Sequence, residues 1–158
     1  MSRLVPLVAF TLIWSACGGG DATPDASATS DDSRADAVAV PRVHITQPQD
    51  GAAVPQGPLE VVFEVEGLVV SPAGTMDPGT GHHHLIVDAD ILSWTEPIGV
   101  EEGRYIHMGQ AQTSFTVEGL EPGEHRLIAV VADGVHVPLD PPVADTVHIT
   151  VTEGTQQE

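Results

Sequence analysis

The sequence has no lysine, only one cysteine, no convincing helical period and no apolar run long enough to cross a bilayer as a helix. Each lack excludes something. With 5 Arg standing alone against 23 Asp and Glu, the formal net charge is −18 at pH 7. Such a surface repels nucleic-acid phosphates and anionic headgroups and attracts cations, so no nucleic-acid partner is expected. A single cysteine rules out a disulfide within the chain. No internal repeat is visible, which argues against a solenoid or propeller. What is present suffices for a core: 41% of the 158 residues are hydrophobic, set in alternating runs, which fits one folded domain and not a disordered chain.

The N-terminus carries one positive charge, Arg3, followed by an apolar run from Leu4 to Trp14. That run has the length of a signal-peptide core. It leads into Ser15, Ala16, Cys17 and Gly18, which looks like a bacterial lipoprotein signal, with Cys17 as the lipidated residue. Trp14 replaces the usual aliphatic residue three places before Cys17, and an ordinary secreted protein cut near Ala16 is the alternative. Gly18 stands where an inner-membrane retention signal would place Asp. The expected location is therefore the cell envelope, as an outer-membrane lipoprotein or a periplasmic or secreted protein. The membrane would be reached only through the lipid on Cys17. Residues 1–17 are read as the signal and 18–40 as an acidic, disordered tether of Gly, Ala, Ser, Thr and Asp. A β-domain follows over 41–153 and a short tail over 154–158.

Within the domain, apolar and polar residues alternate with a period of two. Val43 and Ile45 form one such run; Leu59, Val61, Phe63 and Val65 a second; His125, Leu127, Ala129 and Val131 a third; Val147, Ile149 and Val151 a fourth. Shorter strands are expected at Tyr105 to Met108 and Ser114 to Val117. Turn signals recur every ~8 to 12 residues, among them Pro48, Asp50 and Gly51, then Glu121, Pro122 and Gly123. The fold class is all-β, an immunoglobulin-like antiparallel β-sandwich of about seven strands, with a small barrel as the alternative.

The chemistry concentrates in Gly81 to Asp88, where His82, His83 and His84 run directly into Leu85, Ile86 and Val87. Alternation on a strand sends His82 and His84 to one face, about 7 Å apart, and His83 to the other with Leu85 and Val87. With these residues in view, the domain resembles the extracytoplasmic bacterial family called domain of unknown function 4399. Gly81 to Asp88 is similar to that family's GHHHLLID block. His107, Met108 and Gly109 through Thr113 are similar to its HFG-then-QT block, and Leu120 to Leu127 to its LxPGxHxL turn. His136 to Val143 is similar to its HxPHxPPV block. Two positions depart from the pattern: Met108 replaces an aromatic residue, and Leu139 a second histidine, so any role resting on a histidine there is absent. The resemblance implies fold and compartment and assigns no activity.

Of the eight histidines, His44 and His148 are expected to face solvent, and His125 to serve as a corner residue bonding nearby backbone. His82, His84, His107 and His136 are the candidate ligands for one metal ion, copper or zinc, because neutral imidazoles without a thiolate suit Cu(II) and Zn(II). Asp88, Asp133 and Asp140 are candidate second-layer acceptors orienting the imidazoles. Met108 could add a thioether only if its segment is a loop. The competing reading is an envelope structural or interaction module whose histidines lock the Ser71 to Gly81 loop by bonding carbonyls and carboxylates. No enzyme is expected. Glu96, Glu101 and Glu102 are not tied to the site as a base, no G-x-S-x-G elbow occurs, and a copper,zinc superoxide dismutase would need a disulfide that one cysteine cannot form.

Overall fold

The computed structural model describes residues 39–154. The expected signal, Cys17, nearly all of the tether and residues 155–158 of the tail fall outside the described residues. Among the described residues nine strands follow in order: β1 (Arg42–Gln47), β2 (Ala52–Pro55), β3 (Leu59–Glu66), β4 (Val69–Val70), β5 (Thr80–Val87), β6 (Tyr105–Met108), β7 (Ser114–Val117), β8 (Gly123–Ala132) and β9 (Ala144–Thr152). A three-stranded sheet has the order β1-β3-β7. The larger sheet runs β2-β9-β8-β5-β4, with β6 also paired to β5.

The described residues form an all-β sandwich of two sheets. Val43, Ile45, Val61 and Phe63 of the small sheet pack against Leu85, Val87, Leu127, Ala129, Val131, Val147, Ile149 and Val151 of the large one. These are the inward positions of the alternating runs, and burying each side chain is worth roughly 1.5–3 kcal/mol. Two strands beyond the expected seven are β2 and β4, both short and both parallel to their neighbours. β2 reads Ala-Ala-Val-Pro, weak in strand formers, and its Pro55 is tolerated because β2 is an edge.

The large sheet is covered on its outer face as well. Ile86, Ala89, Tyr105, Ile128 and Val130 form a second apolar layer there, joined by Ile91 and Ile98 from the segment between β5 and β6. Strand β5 is consequently buried from Gly81 to Val87 on both faces. Its outward-pointing histidines thus lie beneath covering loops and not in open solvent.

Candidate functional site

Strand β5 fixes two of the imidazoles by alternation and its neighbours fix the rest by register. In the β5–β6 pairing His84 lies opposite His107, and His83 opposite Met108. Directly opposed residues have Cβ atoms about 4.5–5.5 Å apart, so His84 and His107 meet on the outer face while His83 and Met108 meet in the core. On the other side His82 opposes Ala132, the last residue of β8. There the chain turns at once, and Ala132 bridges Pro138 on the way back. That turn folds His136 over the same outer face. It is held by Asp133, whose Oδ1 accepts from the backbone N–H groups of Val135 and Val137 at 2.9 Å each.

The structure brings His82, His84, His107 and His136 together. The Nε2 atoms of His82 and His84 are 3.1 Å apart, and those of His107 and His136 are 3.2 Å apart. Ring centroids across the four lie between 4.7 and 5.7 Å. The tightest set is His82, His107 and His136, whose ligand atoms fall within 4.8 Å of one another, and His84 joins it through His82. His82 and His84 are fully buried, whereas His107 and His136 are partly exposed.

Gly109 keeps His107 in place, because a Cβ there would stand 2.3 Å from Cε1 and 2.5 Å from Nε2 of the His107 ring. The loop between β4 and β5 is tied beside both partly exposed ligand candidates. Ala73 N–H donates to the Gly109 carbonyl at 3.0 Å, and Gly74 N–H to the Gly134 carbonyl at 2.8 Å.

Burial decides the charge of these rings. Desolvation first, then repulsion from His107 and His136, lowers the His82 pKa to about 4, even though Asp133 pulls it upward. Desolvation followed by repulsion from His82, His107 and His136 lowers His84 to about 3. His107 is lowered too, by desolvation and by His136. At neutral pH the buried pair is uncharged, so each ring carries one N–H and one nitrogen with a free lone pair.

What these rings do not touch is as informative. Among the described residues, the ring-nitrogen hydrogen-bond contacts of the four histidines are with one another, and none reaches a carbonyl or carboxylate. Nδ1 of His82 and Nδ1 of His84 are buried without any partner. Leaving such a group unmatched costs about 1–3 kcal/mol.

The other histidines differ. His125 Nδ1–H donates to Asp88 Oδ2 at 2.6 Å, and Nε2–H donates to the Glu121 carbonyl at 2.7 Å. Both partners are acceptors, so the ring must carry two protons. Burial opposes that charge, but the bonds to Glu121 and Asp88 prevail and raise its pKa. His83 stacks on Phe63 with centroids 5.0 Å apart, and Nδ1–H donates to the Gln112 carbonyl at 2.9 Å. His44 and His148 are exposed.

The carboxylates do not follow the sequence-based expectation uniformly. Asp88 is corrected: its two oxygens serve His125 and the backbone N–H of Arg126, because its positive φ of 49° turns it away at the end of β5. Asp133 holds the His136 turn through backbone N–H groups and acts on His82 only through its field. Asp140 is exposed. Met108 is fully buried in the sandwich core on strand β6, so the condition for a thioether ligand is not met. The contacts of Phe63 and Gln112 with His83, and of Gly109 with His107, were not read from the sequence. Of the three, only Gly109 left a signal, as the small residue two places after a histidine.

Two solved structures are among those to which the chain is similar. One is the set of fibronectin(III)-like modules of Clostridium thermocellum CbhA, at 14% identity and a TM-score of 0.40, covering 71% of this chain and 98% of that one. The other is an engineered protein, at 17% identity and a TM-score of 0.43, covering 73% of this chain and 21% of that one. No curated protein matches the chain by sequence. The sequence model of the family described as Domain of unknown function (DUF4399) matches residues 61–152, which take in the triplet, His107 and His136. The chain belongs to the DUF4399 family.

Proposed function

We propose that the domain binds one transition-metal ion, copper first and zinc second, at His82, His84, His107 and His136, and that it does so without catalysing a reaction. The observation that carries this reading is the convergence of four imidazoles whose nitrogens face one another and no acceptor. Metal–nitrogen bonds of about 2.0–2.1 Å place adjacent ligand nitrogens about 2.9 Å apart at right angles and about 3.4 Å apart in a tetrahedron. The contacts of 3.1 and 3.2 Å fall between those limits. A set of neutral nitrogens with no thiolate suits Cu(II) and Zn(II), and copper outranks zinc by the general order of divalent affinities. The low pKa of the buried pair means that an ion need displace no proton there at neutral pH.

Loop locking is the poorer account. His125 shows what a locking histidine looks like in this fold, with both nitrogens on acceptors, and the four clustered rings lack such partners. Among the described residues the three glutamates nearest in sequence do not join the set: Glu101 is exposed and 3.7 Å from Arg104, and Glu96 and Glu102 are exposed. The lipoprotein-like Cys17 supports a role outside the cytoplasm, buffering or delivering the ion at the cell envelope.

Copper and zinc titrations of residues 40–158, expressed without a histidine tag, test the reading. Stoichiometric binding at sub-micromolar affinity, lost in the His84→Ala/His136→Ala double variant, is expected. Wild-type binding no stronger than that of the double variant would refute it.

A further inference from the structure

The four histidines are not equivalent, and the difference suggests how the ion would come and go. His82 and His84 are fully buried on β5, which is hydrogen-bonded along both edges, to β8 on one side and to β6 and β4 on the other. His107 and His136 are partly exposed. His107 sits on a four-residue strand. His136 sits in a turn with φ at 72°, in the left-handed region that residues other than glycine adopt uncommonly but histidine more often than most. Within the turn, His136 N–H donates to the Asp133 carbonyl at 3.0 Å, Asp133 N–H to the Val137 carbonyl at 2.8 Å, and two backbone donors reach Asp133 Oδ1; Ile98 N–H to the His136 carbonyl and Gly74 N–H to the Gly134 carbonyl tie it to neighbouring loops and not to the sheet.

We propose that the ion exchanges by associative ligand substitution through the His136 side, with the buried pair keeping hold of it while an incoming donor replaces His136 first. The partner is thereby a chelating molecule or protein that brings its own nitrogen or sulfur donors to the exposed side, and not one that waits for free ion to leave. His136 can swing outward from a partly exposed turn, whereas His82 and His84 lie on a strand whose residues are buried on both faces. Val135, beside His136, is exposed and apolar, so the approach on that side meets no fixed charge from this neighbour. In the exchange one metal–nitrogen bond to His136 breaks as one bond to the incoming donor forms. The oxidation state of the ion is unchanged.

This inference rests on the metal-binding reading, and equilibrium titration separates the two: a protein that takes up no zinc or copper sinks the reading itself. Given uptake, the test is stopped-flow transfer of zinc from the loaded protein to the chromogenic chelator 4-(2-pyridylazo)resorcinol. The transfer rate should rise in proportion to chelator concentration. His136→Ala should weaken equilibrium binding by about 10- to 100-fold, the range typical of disturbed metal sites, and accelerate transfer by a similar factor. His84→Ala should weaken binding comparably while leaving the chelator-dependent rate within about threefold, since His84 holds the ion in both the bound state and the transition state. If His84→Ala does not fold, His84→Gln replaces it. A rate independent of chelator concentration overturns the proposal, as does acceleration by the His84 variant that matches its loss of affinity.

Discussion

Acidifying the metal-free protein should destabilise it well before its carboxylates titrate. The unfolded chain holds histidines with an ordinary pKa of about 6.5, while the folded chain holds His82 at about 4 and His84 at about 3. Both folded values are depressed, so the stability these groups allow is present above pH 6.5 and is lost as pH falls towards 4 and then 3. Between pH 7.5 and 5.5 the unfolded state takes up nearly one proton at each site and the folded state almost none. Linkage then gives a loss of about 1.3 kcal/mol per site, or about 2–3 kcal/mol for the pair. His83, lowered by desolvation despite its bond to Gln112, acts in the same direction. His125 acts in the opposite one: its raised pKa contributes stability that is fully present below 6.5 and is lost as pH rises through its folded value. A loss of this size is a large share of the 5–15 kcal/mol typical of a domain. Urea unfolding in the presence of EDTA at pH 7.5, 6.5 and 5.5 measures it. The His82→Leu/His84→Leu double variant should lose most of the dependence. Wild-type midpoints that coincide at pH 7.5 and 5.5 with equal m-values, or a double variant as pH-sensitive as wild type, would refute the reasoning.

That double variant should also match or exceed the metal-free wild type in stability at pH 7.5, to within about 1 kcal/mol, because it removes two buried nitrogens that have no partner. Leu85→Ala, one position along the same strand, should cost about 2–5 kcal/mol in the same urea experiment. Gly109→Ala should leave the fold intact but displace the His107 ring, lowering zinc affinity about tenfold or more by isothermal titration, with all four histidines still present. Asp88→Asn should remove the charged partner of His125, lowering stability at pH 6 by about 1–3 kcal/mol and moving the His125 titration downward when followed by NMR. Saturating zinc, at one hundred times its Kd, should raise the unfolding free energy by about 2.7 kcal/mol, read as a concentration-dependent Tm.

The sandwich was legible wherever a strand has one buried face, because a period of two leaves no other arrangement for Leu59, Val61, Phe63 and Val65. Strand β3 begins and ends where that alternation does, at Leu59 and Glu66. The opposite faces of His83 and of His82 with His84 followed from the same rule. Strands β2 and β4 were not legible, since two- and four-residue pairings at the margins of a sheet leave no period. The convergence of His136 on the triplet could be expected only from residue type. It depends on a tight turn after β8 and on the β5–β8 register, which aligns His82 with Ala132, and neither is written in local sequence. Asp88 misled because sequence proximity to the triplet says nothing about direction after a left-handed residue.

Among the described strands β6 pairs only with β5, which leaves it a short edge of the large sheet. Its residue His107 faces His84 on the neighbouring strand and His136 on the turn beyond β8. An ion held there would fasten the sheet margin to its centre as a rivet does, across three separate stretches of chain. Emptying the site would remove that cross-tie at His107, while Met108 and Tyr105 of the same strand stay packed in the core and the outer apolar layer. Amide hydrogen exchange at His107 and Gly109 would then report the loading state locally, at the margin where the large sheet has an edge to guard.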